Sequence, residues 1–300
     1  MPRVAVTGGK GGTGKTTVAA NTAYTLAQMG LRVLLIDADV DAPSSSRFLG
    51  VSTARVLDVM SFLPAVDPEK CTMCGLCAQA CRPHALVHVE GRLPMLFPEL
   101  CSGCEACKLV CPSNAITDSQ KLLGWVNKAE AHGITLVEGE LQPTEARSTL
   151  VLLKAMEYAR SLKSERSYDM TIVDTAPGTH CNVIHAIRGA DLALAVTEPT
   201  PLGVHDLELI LKLTQKLQVR TAVVLNRADL PGGTPEEVER IASRHHTPIV
   251  AEIPLDPLVQ SSHIQGKPVL ELAPSSRAAE AFRTLAKAVL ELASAGAFLA

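Results

Sequence analysis

One short segment near the amino terminus decides most about the fold. Gly9, Lys10, Gly11, Gly12, Thr13, Gly14, Lys15 and Thr16 spell GxxxxGK[ST] directly behind the apolar run Val4, Ala5, Val6. Glycines in such a loop let backbone N–H groups turn inward around phosphate oxygens, and the start of the following helix adds its partial positive charge. Lys15 is then placed to reach the outer phosphates and Thr16 to ligate Mg²⁺, with Thr17 beside it on the helix. Residues 15–29 have helical composition and end at Gly30, and residues 31–36 read as a second strand. Strand, helix, strand in this order is a right-handed crossover unit, the building block of parallel sheets.

More strands of the same apolar kind follow: 170–173 ending at Asp174, then 192–196, 221–225 and 248–253. Helical stretches at 206–217 and 235–244 separate them. The expected fold class is α/β, a doubly wound, mostly parallel sheet. A chain of 300 residues with 47% hydrophobic and 20% charged content can bury a full core. A formal net charge of -3, with no cluster of Lys and Arg, gives no footprint for nucleic acid. The strand and glycine loop begin at once, leaving no room for a secretion signal, and no apolar run reaches the roughly 20 residues that span a bilayer.

The second constraint is a pair of cysteine runs. Cys71, Cys74, Cys77 and Cys81 have the spacing CxxCxxCxxxC, and Cys101, Cys104, Cys107 and Cys111 repeat it thirty residues later. The repeat extends beyond sulfur: Pro68 and Glu69 match Pro98 and Glu99, and Ala85 and Leu86 match Ala115 and Ile116 at the same offset. Two half-modules with pseudo-twofold symmetry are expected. Thiolates at metal-ligand spacing in a chain without an export signal point to a reducing, cytoplasmic setting. The segment is Cys- and Pro-rich and interrupts the α/β pattern, so residues 64–118 are expected to form an inserted module between 1–63 and 119–300. Residues 277–300 read as a final helix with Phe282, Leu285, Ala286, Val289 and Leu290 on one side, packed on the sheet.

The additional lysine of the glycine loop, Lys10, makes the first segment resemble the deviant Walker A loop of the MinD, Mrp, ParA and nitrogenase iron protein group. That resemblance covers nearly the whole chain outside the insert. It implies an ATP-dependent homodimer with two nucleotides between subunits, Lys10 crossing to the partner's nucleotide. Asp37, Ala38, Asp39, Val40, Asp41, Ala42 and Pro43 look like the family's first switch, Asp39 orienting the attacking water. Asp174, with Thr175, Ala176, Pro177, Gly178 and Thr179, resembles the second, where the aspartate holds Mg²⁺ through water and N–H groups near Gly178 sense the terminal phosphate. Asn226, Arg227, Ala228 and Asp229 look like the adenine-side loop, Asn226 contacting the base; an ordinary Asn/Asp turn is the plainer alternative. Glu198, Pro199, Thr200 and Asp206 match the family in order, without a role that spacing reveals.

The insert is similar to a two-cluster ferredoxin, a small α+β module. In that family the fourth ligand of each 4Fe-4S cluster comes from the other run. The resemblance therefore implies Cys71, Cys74, Cys77 and Cys111 for one cluster and Cys101, Cys104, Cys107 and Cys81 for the other. Pro112 follows Cys111 as the pattern expects, whereas Arg82 stands between Cys81 and Pro83. Zinc is the competing ligand for CxxC pairs. Cys181 is the ninth cysteine, seven residues after Asp174. Two such thiolates across a dimer, or Cys181 with His185, could hold a metal; a buried inert thiol is the alternative. The remaining histidines show no ligand spacing and are expected at the surface.

Together these readings imply ATP, Mg²⁺ and two 4Fe-4S clusters, in a protein that couples nucleotide state to electron transfer toward a redox partner. The alternative is an Mrp-type assembly or carrier ATPase serving an apo-metalloprotein client, although no CxxC pair of the Mrp type exists outside the insert. A MinD-like positioning ATPase with purely structural clusters is a third class.

Overall fold

The computed structural model describes residues 1–295. β1 (Arg3–Thr7), α1 (Lys15–Gln28) and β2 (Val33–Asp37) make the expected crossover, with β2 starting two residues late because Leu31 and Arg32 complete the turn after Gly30. After α2 (Ser45–Leu49) come two long strands, β3 (Ala54–Val66) and, past the cysteine segment, β6 (Ile116–Ala131). Between them lie α3 (Leu76–Ala80), β4 (Leu86–Val87), β5 (Met95–Leu96) and α4 (Ala106–Leu109).

The chain then alternates: β7 (Ile134–Leu141), α5 (Ser148–Glu165), β8 (Met170–Asp174), α6 (Cys181–Ile187), β9 (Leu192–Thr197), α7 (Pro201–Lys216) and β10 (Thr221–Asn226). It closes with α8 (Pro235–Arg244), β11 (Ile249–Ile253), α9 (Pro257–Gln265), α10 (Val269–Leu272) and α11 (Arg277–Ala295). α7 starts earlier than the expected 206 because Pro201 presets the first helical φ and the Thr200 hydroxyl accepts the Gly203 N–H at 3.1 Å. The last five positions of the expected 277–300 helix lie outside the described residues.

Among the described residues one nine-stranded sheet runs β11-β10-β9-β1-β8-β2-β7-β6-β3. From β11 to β7 every pairing is parallel; β6 and β3 are added antiparallel at one edge. Both faces are covered, which is why the parallel strands are apolar throughout. Val33 and Leu35 face α1 and α11, while Leu34 and Ile36 face α5. In α11, Phe282, Leu285, Ala286 and Val289 are fully buried in the first of these cores, so the expected packing on the sheet holds, with Leu290 partly buried against it.

The antiparallel edge builds the insert's support. β6 pairs with β7 only from Gly124 onward, so residues 116–122, paired with β3, overhang the carboxyl end of the parallel strands. The phosphate loop leaves β1 at that same end. Positions 64 and 118, the expected limits of the insert, lie within β3 and β6, so this two-stranded arm is continuous with the main sheet.

At its tip the repeat is visible in the backbone. Leu86 pairs with Leu96, and thirty residues away Val66 pairs with Ile116. Phe97 N donates to Ala85 O at 2.7 Å as Asp67 N donates to Ala115 O at 2.8 Å. Positive φ recurs at Met73 and Gly103, at Gly75 and Glu105, and at His84 and Asn114.

Candidate nucleotide site and cysteine centre

β1 ends between β8 and β9, and its loop is shaped by close approach. Gly14 has φ +94°, and a Cβ there would collide with the Asn226 amide, which donates to Thr13 O at 2.8 Å. Gly9 lies against the Asp206 backbone, which gives Asp206 the role its place in the sequence did not reveal: α7 walls the loop. Gly11 and Gly12 face open space, as a phosphate cradle requires. Lys15, buried at 6% exposure, donates to Lys10 O at 2.8 Å, and burial lowers its pKa against the pull of Asp174 and Asp39.

Asp174 and Asp39 act on it, and Asp37 and Glu138 continue the row of carboxyl groups on the neighbouring strands. Asp37 and Asp174 end neighbouring strands in register, both fully buried. Neither oxygen of Asp174 has a hydrogen-bond partner; burial and Asp37 raise it well above the carboxylate range, against Thr16 and Lys15. Asp37 accepts N–H bonds from Asp39 (3.0 Å), Ser44 (2.9 Å) and Ser45 (2.9 Å), and burial still pushes it up. Asp39 is pushed up to about 6 by burial, then by Asp37 and Asp41. A hard divalent cation is the group such a set fits: buried oxygen donors, an orphaned carboxylate and a nearby Thr16 hydroxyl, which Ser44 meets at 3.5 Å. Glu138 on β7 is the fourth, absent from the sequence reading. It sits in register with Asp37, accepts Ser46 N at 2.6 Å, and is pushed up to about 7 by burial and Asp37.

Lys10 stays within its own chain, pairing with Glu198 at 2.6 Å; Glu198 also receives Arg227 at 2.7 Å. Although burial works against it, these two cations hold Glu198 below its usual range. Asn226 and Arg227 join Gly14, Thr17 and His263 around a cavity of ≈ 630 Å³. The Thr17 hydroxyl meets His263 Nε2 at 3.1 Å, and partial desolvation of the ring, then Arg227, lowers the His263 pKa. The cavity adjoins the loop at Gly14 and Thr17, and its volume lies in the range of small-molecule sites. Neither His263 nor Glu138 carried a motif; only their proximity in the fold singles them out.

In the arm, Cys81 stands with the second cysteine run and Cys111 with the first. A small cavity is walled by Cys81, Cys101, Cys104 and Cys107. Cys107 is pushed up to about 11 by burial, with the Cys101 and Cys81 sulfurs adding to it. Burial raises Cys77 likewise, with Cys71 and Cys111 as its sulfur neighbours. Ala85 N donates to Cys81 Sγ and Ala115 N to Cys111 Sγ, both at 3.2 Å and thirty residues apart. N–H groups aimed at sulfur and a cysteine-lined cavity fit an iron-sulfur cage, whose iron would take these sulfurs as thiolates. Among the described residues no three His, Cys, Asp or Glu side chains gather tightly enough for a single metal ion. Cys181 is exposed at the start of α6, which corrects the buried-thiol alternative, and none of the nine histidines is buried.

A phosphate loop at the head of a mostly parallel sheet, backed by buried carboxylates, defines a P-loop nucleotide-binding protein. Residues 4–269 match the CobQ/CobB/MinD/ParA nucleotide binding domain, and the chain belongs to that family. It is 35% identical over 228 residues to the protein MJ0579 of Methanocaldococcus jannaschii, 76% of this chain and 80% of that one. It is 24% identical over 301 residues to an iron-sulfur cluster carrier protein of Pyrococcus horikoshii, 95% of this chain and 84% of that one. Its fold is that of the septum site-determining protein MinD complexed with Mg-ADP from Pyrococcus horikoshii: TM-score 0.63, 22% identity, 98% of each chain. No helix of the described residues is long and apolar enough to cross a membrane.

Proposed function

We propose that this chain is a Mg²⁺-dependent ATPase that handles iron-sulfur clusters as a carrier, working as a homodimer and holding two 4Fe-4S clusters of its own in the arm. The observation that supports the reading is the crossed arrangement of seven arm cysteines, Cys81 with Cys101, Cys104 and Cys107 and Cys111 with Cys71 and Cys77, in a chain that also carries a phosphate loop. The relatives named as iron-sulfur cluster carriers support it from outside the chain. In this reading N–H groups of residues 9–15 and the Lys15 ammonium bind the phosphates, Thr16 and Asp174 hold Mg²⁺, and Asp39 anchors the attacking water. Mg²⁺ supplies charge neutralisation at the phosphates. Lys10 leaves Glu198 to meet the partner's nucleotide, so dimer closure and release of that ion pair are one event. In the arm, Cys71, Cys74, Cys77 and Cys111 would hold one cluster, and Cys101, Cys104, Cys107 and Cys81 the other; each cluster would supply a one-electron redox centre.

The test is anaerobic reconstitution followed by incubation with an apo-ferredoxin. ATP-dependent appearance of holo-ferredoxin is expected; its absence, with iron retained, removes the carrier role. One observation favours nucleotide-gated electron transfer as a second reading: the arm overhangs the carboxyl end of the parallel strands, the end at which the phosphate loop follows β1. ATP-dependent reduction of a redox partner without iron transfer would select it.

A further inference from the structure

We propose that Arg147 is a positioning residue linking the segment after Asp174 to the cysteine set Cys81, Cys101, Cys104 and Cys107, with Asn182 as its link to the nucleotide side. This rests on the reading that the arm holds clusters.

The arm side is an ion network in the loop between β7 and α5. Arg147 Nε and Nη2 donate to Glu145 Oε1 and Oε2 at 2.7 and 2.9 Å, a bidentate pair. Lys121 on β6 approaches the same carboxylate at 3.0 Å and donates to Pro98 O at 3.3 Å. Glu145 is 5% exposed, and Arg147 holds its carboxyl down to about 2 against burial. Arg147 Nη1 also donates to Ser61 Oγ at 3.3 Å on β3. Gly103 presses on that Ser61 hydroxyl so closely that no Cβ fits. One hydroxyl therefore separates the guanidinium from the 101–104 loop. Glu145 keeps Arg147 charged, and the Cys101 sulfur adds to the effect.

The nucleotide side begins one residue later. Asn182 donates to Ser148 Oγ at 2.9 Å and accepts from Thr149 Oγ1 at 2.6 Å, binding the first turn of α5 to the start of α6. α6 follows the segment after Asp174, where Gly178 N donates to Gly8 O at 3.2 Å at the root of the phosphate loop. A terminal phosphate entering the loop competes for that N–H, so a shift of Gly178 is passed by Asn182 to residues 147–149. The bidentate geometry of this half-buried pair, with Lys121 on the same carboxylate, ties the Glu145, Arg147 and Lys121 group together so that it moves as a unit. Charge and hydrogen bonding near the sulfurs set a cluster's potential. The two nucleotide states should therefore give the cluster beside Arg147 two potentials.

The experiment is a redox titration of the reconstituted full chain, followed by EPR, with Mg-ADP and with a non-hydrolysable Mg-ATP analogue. One of two potentials should differ between the nucleotides. Asn182→Ala should keep the Mg-ADP potentials and abolish the difference. Arg147→Gln should move that one potential negative with both nucleotides at unchanged iron content, and Arg147→Lys should restore most of it. A wild-type protein with full iron and nucleotide-insensitive potentials, an Asn182→Ala protein that keeps the difference, or an Arg147→Gln protein with both potentials unmoved would overturn the relay alone. A protein that takes up no iron would overturn the underlying reading as well.

Discussion

Replacing Glu138 by Gln tests whether the buried carboxylates beside the phosphate loop oppose folding when no cation is bound. The Glu138 carboxyl is pushed from its ordinary 4.5 up to about 7, first by burial and then by Asp37. A folded state that binds the proton more tightly than the unfolded chain gains stability below about pH 4.5 and loses it as pH rises through about 7. Each tenfold change in proton affinity is worth about 1.4 kcal/mol, so the full loss is about 3 kcal/mol, of which about 1.4 has occurred by pH 5.5. Roughly 2 kcal/mol then remains to be lost between pH 5.5 and 8. Gln is neutral throughout and its carbonyl can still accept the Ser46 N–H, so Glu138→Gln removes that slope, and relief of Asp37 from its neighbour's charge acts in the same direction. Guanidinium unfolding at several pH values, without nucleotide or Mg²⁺ and followed by the single tryptophan, Trp125 on β6, measures it. The two proteins should agree most nearly at the acid end, with the variant ahead by about 1–3 kcal/mol at pH 8. Equal slopes, or a variant less stable at pH 8, would refute the reasoning.

Lys15→Ala should abolish ATP turnover and leave the brown iron-sulfur absorption intact, since the two sites share no residue; loss of both would mean they fold as one unit. Crossed ligation is testable with double variants read by iron content and EPR. Cys71→Ser with Cys111→Ser should retain one cluster and Cys81→Ser with Cys111→Ser neither, whereas loss of both in the first pair would mean each run holds its own. Phe282→Ala empties a fully buried site between α11 and the sheet and should cost about 3–5 kcal/mol in chemical denaturation. A cost under about 1 kcal/mol would mean that the helix is not seated there.

The stretch least legible in sequence was 119–141. β6 is a long antiparallel strand with polar residues such as Lys121, Asn127 and Lys128 mixed among apolar ones, unlike the continuous apolar runs that betray a strand buried on both faces. β7 hides Glu138 in a polar ending that reads as a solvent-facing turn but is buried. Lys10 likewise carries a motif's meaning, yet its resting partner Glu198 lies 188 positions away.

The sequence by itself settled what is local or periodic: a glycine loop that must turn around phosphate, apolar runs that must be buried parallel strands, and a thirty-residue repeat that must fold twice alike. These follow from backbone sterics and spacing within a few residues. Only the tertiary structure decided which sulfurs stand together, which carboxylates repel, and that the arm overhangs the same strand ends as the nucleotide loop. Those facts depend on strand order and register, where residues distant in the chain meet, and no short window of sequence encodes that meeting.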